Sequence, residues 1–329
     1  MKNYLLLTAS AVLVLSSCSN NEIVENKELK NGEPKKMSIS AYVPGMTRLG
    51  NYSAVETTEA MFKEAGFTLV TDQFEDGEMF RTQMAFNSEN NVWGPAAGEA
   101  EPAWPANPTE TVEFFGVYPA DAIGEGLQNL GDDEYALAFD GSVERDLMIA
   151  HASESYVSST NGAVSLDFSH VLAKVEVRFT AVQEGYGYEV GKVQLTAPKA
   201  TEYSFRSQFN SEADSLFSLD TIDEIDGASF KSEGGNISGQ EVRAGDTVSF
   251  VNMMVVPGEC TLNLGYKIAP QNQLGDQEIQ ECESIPFTAV AGRRNIVIIT
   301  LSPSDKAMTF NVSVAGWEDG NTTKETLEL

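Results

Sequence analysis

Val171-Leu172-Ala173-Lys174-Val175-Glu176-Val177-Arg178-Phe179 shows the period that organises this chain. Val171, Ala173, Val175, Val177 and Phe179 recur at every second position and share a face, the spacing of a β-strand with one side against a core. The period returns near the start, where Met37, Ile39, Ala41 and Val43 alternate with Ser38, Ser40 and Tyr42. It returns again near the end, where Met308, Phe310, Val312 and Val314 alternate with Thr309, Asn311 and Ser313. From Asn295 to Leu301 the run is nearly continuous in apolar residues, as in a strand covered on both faces.

Strand-like runs fill most of the remaining chain: Phe67 to Thr71, Phe80 to Phe86, Val112 to Tyr118, Asp146 to His151, Val164 to Phe168, Val190 to Leu195, Tyr203 to Phe209, Thr247 to Val256, Cys260 to Ile268 and Ile279 to Phe287. Pro44-Gly45, Asn90-Asn91 and Trp93-Gly94-Pro95 punctuate them, and only Glu56 to Ala65 has helical character. Many short strands between turn signals predict an all-β fold built of sandwiches. The length of 329 residues suits two of them. Glu184-Gly185-Tyr186-Gly187-Tyr188 is the expected joint, separating an N-terminal sandwich over residues 37–182 from a C-terminal one over 183–329.

Ahead of the first strand lies a different kind of segment. Lys2 supplies a positive charge, Tyr4 to Leu15 is apolar but too short to span a bilayer, and Leu15-Ser16-Ser17-Cys18 closes it. A small pair followed by cysteine is the lipobox pattern of bacterial lipoprotein precursors. It predicts a signal peptide over residues 1–17, a lipidated Cys18 and a polar tether over residues 18–36. A plain signal peptide with an incidental cysteine is the alternative, and the apolar length and the small pair both favour the lipobox. Formal net charge is −28, which disfavours nucleic acid and anionic lipid surfaces as partners. An exported chain with two further cysteines, Cys260 and Cys282, makes them a candidate disulfide across a hairpin. Their faces differ by one residue, so a bulge is needed, and the pairing stays open.

Catalytic signals are sparse. The two histidines, His151 and His170, accompany no nucleophile motif and read as core or turn residues. No P-loop, dinucleotide, zinc-protease or nucleophile-elbow fingerprint appears, so no enzyme and no cofactor are expected. Asp220, Asp223, Asp226 and Gly227 are spaced by three rather than two, which fails the EF-hand loop and predicts no metal. Trp93, Trp104 and Trp317 fit core or corner positions better than sugar platforms.

Two stretches taken together resemble the fimbrillin-like family of type V pili. Asp146-Leu147-Met148-Ile149-Ala150 is similar to its "D-L-M-x-A" turn, and Leu166-Asp167-Phe168-Ser169-His170-Val171-Leu172-Ala173-Lys174-Val175-Glu176-Val177 to its "L-x-F-x-H-x-L-A-K-V-x-V" phrase. The closing Val312-Ser313-Val314-Ala315-Gly316-Trp317-Glu318-Asp319-Gly320 resembles "V-x-V-x-x-W-x-D-G", and Thr47-Arg48 and the lipobox match as well. The resemblance implies two transthyretin-like β-sandwich domains and a pilus subunit or surface adhesin of the outer membrane. Its implied partners are other pilus subunits, with host proteins or glycans as adhesion ligands. It also implies cleavage after Arg48, leaving Leu49 first and freeing the Met37 to Val43 strand for exchange with a strand of another subunit; Arg48 as an ordinary loop arginine is the alternative. Only Leu327 and Leu329 are apolar after Gly320, which favours a tip or accessory position. Asp214-Ser215-Leu216, Asp220-Thr221-Ile222 and Asp246-Thr247-Val248 look like the Asp-Ser/Thr-apolar O-glycosylation signal, at Ser215, Thr221 and Thr247, the first two in an expected loop. The alternative function is a glycan-binding surface lipoprotein of an uptake system, which would present an exposed aromatic groove.

Overall fold

Alternation in the sequence becomes strand nearly everywhere. The computed structural model describes residues 35–43, 59–75, 78–121, 127–131, 134–138, 146–160, 162–206, 215–225, 240–242, 247–270, 273, 280–303, 308–316 and 322–325. All lie in one compact unit spanning residues 34–329. In chain order the elements are β1 (Ser38–Tyr42), α1 (Glu59–Ala65), β2 (Phe67–Glu75), β3 (Glu78–Asn87), β4 (Val92–Pro95), β5 (Val112–Tyr118), β6 (Leu127–Gly131), β7 (Glu134–Ala138), β8 (Met148–Glu154), β9 (Ala163–Asp167) and β10 (Ser169–His170). There follow β11 (Ala173–Ala181), β12 (Tyr186–Arg206), β13 (Ser215–Ile225), β14 (Gln240–Val242), β15 (Thr247–Val255), β16 (Gly258–Pro270), β17 (Gln280–Ala289), β18 (Arg293–Leu301), β19 (Met308–Gly316) and β20 (Thr322–Glu325).

These strands form sandwich-like sheets. One sheet has the order β10-β8-β5-β2-β3-β4, a second β15-β11-β18-β19-β20, and a third β17-β16-β12-β7-β6 with β13 and β14 also on β12. β1 and β9 make a separate parallel pair. The β11–β18 pair is parallel too, and the other described pairs are antiparallel.

Side-chain parity decides which core each strand feeds. On β5, Phe114 and Val112 enter a core shared with β1, β9 and α1, whereas Phe115 and Val117 enter a second core with Tyr135, Leu137, Tyr203 and Phe205. Burial on both sides fits the apolar and aromatic character of Val112 to Tyr118, in which Glu113 alone is half-buried. A third core lies between the β11 and β12 sheets: Val175, Val177 and Phe179 meet Val193, Leu195 and Leu264 among others. The bulge between Val190 and Lys192 moves the inward set of β12 from even to odd positions, which keeps the strand on this core on both sides of the bulge as far as Ala197, before Tyr203 and Phe205 enter the second core. On β18, Val297, Ile299 and Leu301 enter the same core, and on its other face Ile296 is buried while Ile298 is half-buried, so the expected two-sided cover is only partly realised.

Several expectations need correction. The sheets do not change at residues 182–183: β11 already belongs with β15 and β18, and the chain passes between sheets at Val171-Leu172. The Glu184-Gly185 turn, where Gly185 has a φ of 81°, instead joins β11 to β12 across one core. β12 fuses two expected strands into one of 21 residues, pairing β16 with its first half and β7 with its last residues. Ser215 and Thr221 lie on β13, paired to β12, and not in a loop. The tether does not extend to Lys36, because Lys36 already bridges to Ala103.

The expected cysteine pair is not brought together. A bulge does interrupt the β16–β17 hairpin, but its register sets Cys260 opposite Phe287 and Cys282 opposite Leu264. Four positions along a strand separate them by about 13 Å, beyond the roughly 7 Å between Cα atoms that a disulfide tolerates. Cys260 is a free, buried thiol.

Candidate strand-exchange site around the first strand

β1 sits where its sequence can be used twice, once through its backbone and once through its alternate side chains. Its register against β9 runs from Ser38 opposite Ala163 to Tyr42 opposite Asp167. The Ser38 N–H donates to the Gly162 carbonyl at 3.1 Å, and at the far end the Phe168 N–H donates to the Tyr42 carbonyl at 2.7 Å. The head of the segment is held from the other side. There the Met37 N–H donates to the Pro102 carbonyl at 3.2 Å, and the Lys35 carbonyl accepts from the Trp104 N–H at 2.8 Å. Successive N–H groups point to opposite sides of a strand, so Lys35 to Met37 bond the 102–104 segment while Ser38 onward bonds β9.

The odd-numbered side chains fill the groove that this pairing frames. Ile39 is 5% and Val43 4% exposed, and Met37 and Ala41 pack on the same core. Ser38, Ser40 and Tyr42 face outward, Tyr42 with 59% of its surface exposed. Burying an aliphatic side chain of this size contributes about 1.5–3 kcal/mol. Ile39 and Val43 alone therefore stabilise the docked strand by roughly 3–6 kcal/mol. The groove floor is aromatic. Phe168 packs edge-on to Phe62 and Phe67, with centroids 5.0 and 5.1 Å apart. It lies directly over Gly116, where an added Cβ would stand 2.4 Å from the Phe168 ring. A glycine in the middle of β5 is what lets the ring descend to the sheet.

A basic head closes the groove at its N-terminal end. The Lys35 ammonium stands 3.6 Å from the centroid of the Tyr156 ring. On the opposite face the Lys36 Nζ lies 2.5 Å from Glu101 Oε2. Trp104 seats Tyr156 edge-on at 6.1 Å and donates its indole N–H to the Gly162 carbonyl at 3.2 Å, the same carbonyl that Ser38 bonds. Trp104 is thus a core residue, and Trp93 packs on the same core.

Other chemistry-bearing residues form local polar pairs. His151 Nε2 lies 2.6 Å from Glu113 Oε2, and Ser153 donates to the other oxygen of that carboxylate at 2.6 Å. The serine is bound to the acid and not to the imidazole, so no base is set against a nucleophile. Burial raises the Asp72 carboxyl, opposed by the Glu113 N–H it accepts at 2.9 Å and reinforced by the charge of Glu113. His170 Nδ1 lies 2.9 Å from Asp146 Oδ1, both buried. Burial alone would raise Glu176, but hydrogen bonds from Arg178 and Arg294 outweigh it and hold the carboxyl below its usual value. Burial pushes the Cys260 thiol up to about 12. Among the described residues no cluster of His, Cys, Asp or Glu could hold a metal ion.

The remaining sequence-predicted sites divide by position. Cys18, Arg48, Leu49 and Trp317 lie outside the described residues. Thr247 is exposed at the start of β15. Missed in the sequence were the 102–104 segment and Tyr156, which hold the head of β1. They lie outside regular strands, and the available signal was the aromatic character of Trp104 and Tyr156.

The sequence profile of the fimbrillin-like family matches residues 53–317. No curated protein matches the chain. Among solved structures it is similar to a fimbrial protein from Bacteroides vulgatus, with 17% identity, a TM-score of 0.57, and coverage of 86% of this chain and 99% of that one. A fimbrial assembly protein from Parabacteroides distasonis aligns with 14% identity and a TM-score of 0.43, over 89% of this chain and 99% of its own. The fimbrial anchor protein Mfa2 from Porphyromonas gingivalis aligns with 10% identity and a TM-score of 0.41, over 86% and 98%. The profile match covers most of the chain, and the all-β fold and the Bacteroides vulgatus likeness agree with it: the chain belongs to the fimbrillin-like family.

Proposed function

We propose that this protein is a structural and adhesive subunit of a cell-surface type V pilus. It is exported as a lipoprotein through Cys18 and assembles when cleavage after Arg48 frees β1 for replacement by a strand of another subunit. Family membership supports the pilus role, and the sequence signal at Leu15 to Cys18 supports the lipid anchor. The observation that carries the assembly step is the seating of β1. It is a short parallel strand bonded to β9 whose buried side chains alternate with exposed ones. Removing it would unpair the Pro102 carbonyl and the Trp104 and Phe168 main-chain N–H groups, would leave the Gly162 carbonyl with only the Trp104 indole N–H, and would bare apolar surface of the aromatic floor to water. An incoming strand would restore both kinds of contact, which is the physics of strand addition. Adhesion to host proteins or glycans and residence at the outer membrane belong to the same reading. An uptake-system glycan binder draws less support, because Trp93 and Trp104, its candidate platforms among the described residues, pack into the core.

N-terminal sequencing of material recovered from cell surfaces tests the proposal. Leu49 as first residue in assembled fibres is the expected result. An intact lipidated Cys18 start throughout denaturant-resistant polymers overturns the strand-exchange step.

A further inference from the structure

The groove of β1 carries more information than its apolar floor. Lys35 is on the same face as Met37, Ile39, Ala41 and Val43, and its ammonium caps the Tyr156 ring at 3.6 Å. Lys36, on the outer face, meets Glu101 at 2.5 Å. Between them the backbone is bonded to Pro102 and Trp104, so the head of the strand is the segment gripped from the side opposite β9. The ring face and the carboxylate both favour a cation, and both stand on parts of the fold that stay when β1 leaves. The protein as a whole is strongly acidic, with a net charge of −28. From this placement we infer that the groove selects its occupant by charge and register: an extended segment of a second chain, running parallel to β9, with a basic residue two positions ahead of its first groove-filling apolar side chain.

Two features make this a register device. The apolar contacts repeat every second residue, so an incoming strand displaced by two positions would still bury an alternating face. Only the in-register strand also puts one cation on Tyr156, as Lys35 does, and a cation at the next position beside Glu101, as Lys36 does. A strand entering with reversed direction would carry its basic head to the opposite end, where Phe168 donates to the Tyr42 carbonyl.

The inference rests on the strand-exchange reading above, and the test separates the two. The full chain is nicked after Arg48, or at a specific protease site inserted between residues 48 and 51, so that β1 stays bound without a covalent link. Labelled peptides are then added in trans: the chain's own Pro34-Lys35-Lys36-Met37-Ser38-Ile39-Ser40-Ala41-Tyr42-Val43, the same peptide with Lys35→Ala and Lys36→Ala, the same with both as glutamate, and one with the two lysines moved to the other end. Exchange is followed by fluorescence anisotropy and native mass spectrometry. The unchanged peptide should exchange, and the alanine pair should bind roughly tenfold more weakly. The glutamate pair should lose more, by an amount that shrinks as salt is raised. Glu101→Lys, an exposed change that leaves the fold alone, should narrow the gap between lysine and glutamate peptides in a double-mutant cycle. If the unchanged peptide exchanges and all four bind within about threefold of one another, the charge-and-register inference is wrong while strand exchange stands. If no peptide exchanges, including the chain's own sequence, the strand-exchange reading itself fails.

Discussion

Ile39→Ala should loosen β1 selectively. Ile39 is almost fully buried on the inward face of a five-residue strand, and its neighbour Ser40 is exposed. Large-to-alanine changes of a buried isoleucine cost about 2–5 kcal/mol, depending on how far the site can collapse. A short strand paired to β9 alone over its regular length can settle into the gap more easily than a central one, which places the cost at about 3 kcal/mol. At 1.4 kcal/mol per decade, the opening equilibrium of the strand shifts by roughly a hundredfold. Native-state hydrogen exchange reads this directly, because the Ser38 and Phe168 amides are bonded only while β1 is docked. Both should exchange about a hundredfold faster in the variant, while amides of β11 such as Val177, in a different core, should be nearly unchanged. Ser40→Ala is the control. It removes a long 3.3 Å bond from the Ser40 hydroxyl to the Val164 carbonyl and should change exchange by no more than about twofold. Ser38 and Phe168 amides exchanging at the parental rate in Ile39→Ala would refute the burial reasoning. An equal acceleration at Val177 would refute the view that β1 opens apart from the remainder.

Three further outcomes follow. Glu176→Gln should destabilise the protein by about 2 kcal/mol at neutral pH, less than for a fully enclosed pair because the Arg178 and Arg294 guanidinia reach solvent. Because folding depresses the Glu176 carboxyl below its ordinary 4.5, its contribution is present above that value and is lost as pH falls through the folded one. Parent and variant should therefore converge in denaturant midpoint on acidification below about pH 4, and a constant gap down to low pH would contradict the sign. With a pKa near 12 and no exposure, the Cys260 thiol should resist alkylation at pH 8 until the protein is unfolded. After unfolding without reductant it should react, and the mass of a Cys260–Cys282 disulfide would overturn the register. Thr247, exposed behind Asp246, should carry glycan mass in protein from the native host, and a Thr247→Ala variant whose intact mass falls only by the threonine-to-alanine difference removes that site.

Much of this fold was legible because amphipathic strands announce themselves. The inward face of β1 was read correctly at Ile39 and Val43, and the apolar and aromatic run of β5 was read correctly as a strand. What the period of two could not show was partnership. β11 alternates in the same way whether it closes one sandwich or opens another, and only its pairing with β15 and β18 settles that it faces Val193 and Leu264. β13 was read as a loop because Ser215 to Ile225 is rich in Ser, Thr and Asp, and its strand form follows from lying against β12. For the site, the side chains of β1 were evident, but the Pro102 to Trp104 segment and Tyr156 were not. They act through main-chain groups and a ring face, and neither leaves a periodic trace.

The family-like phrases now acquire a physical meaning. Asp146 and His170 close a buried hydrogen bond at 2.9 Å, His170 pairs with Met148 across β10 and β8, and the Val171 N–H donates to the Leu147 carbonyl at 3.0 Å. Just beyond, the Gly292 N–H donates to the Leu172 carbonyl at 2.9 Å. Gly292 has a φ of 59°, and a Cβ there would stand 2.8 Å from the His170 carbonyl oxygen, so the close approach requires glycine. The chain is thus pinned from both sides where it leaves one sheet for another. Within one short run, Val164, Leu166 and Phe168 enter the core that holds β1, Val171 and Leu172 enter the middle core, and Ala173, Val175 and Val177 enter the third. A shift by one residue anywhere in that run would turn each set out of its core. The Asp146–His170 pair and the two seam carbonyls are therefore best understood as register locks. The polar residues of the phrase serve placement: they fix Phe168 over Gly116, and with it the floor on which β1, or any strand that replaces it, must lie.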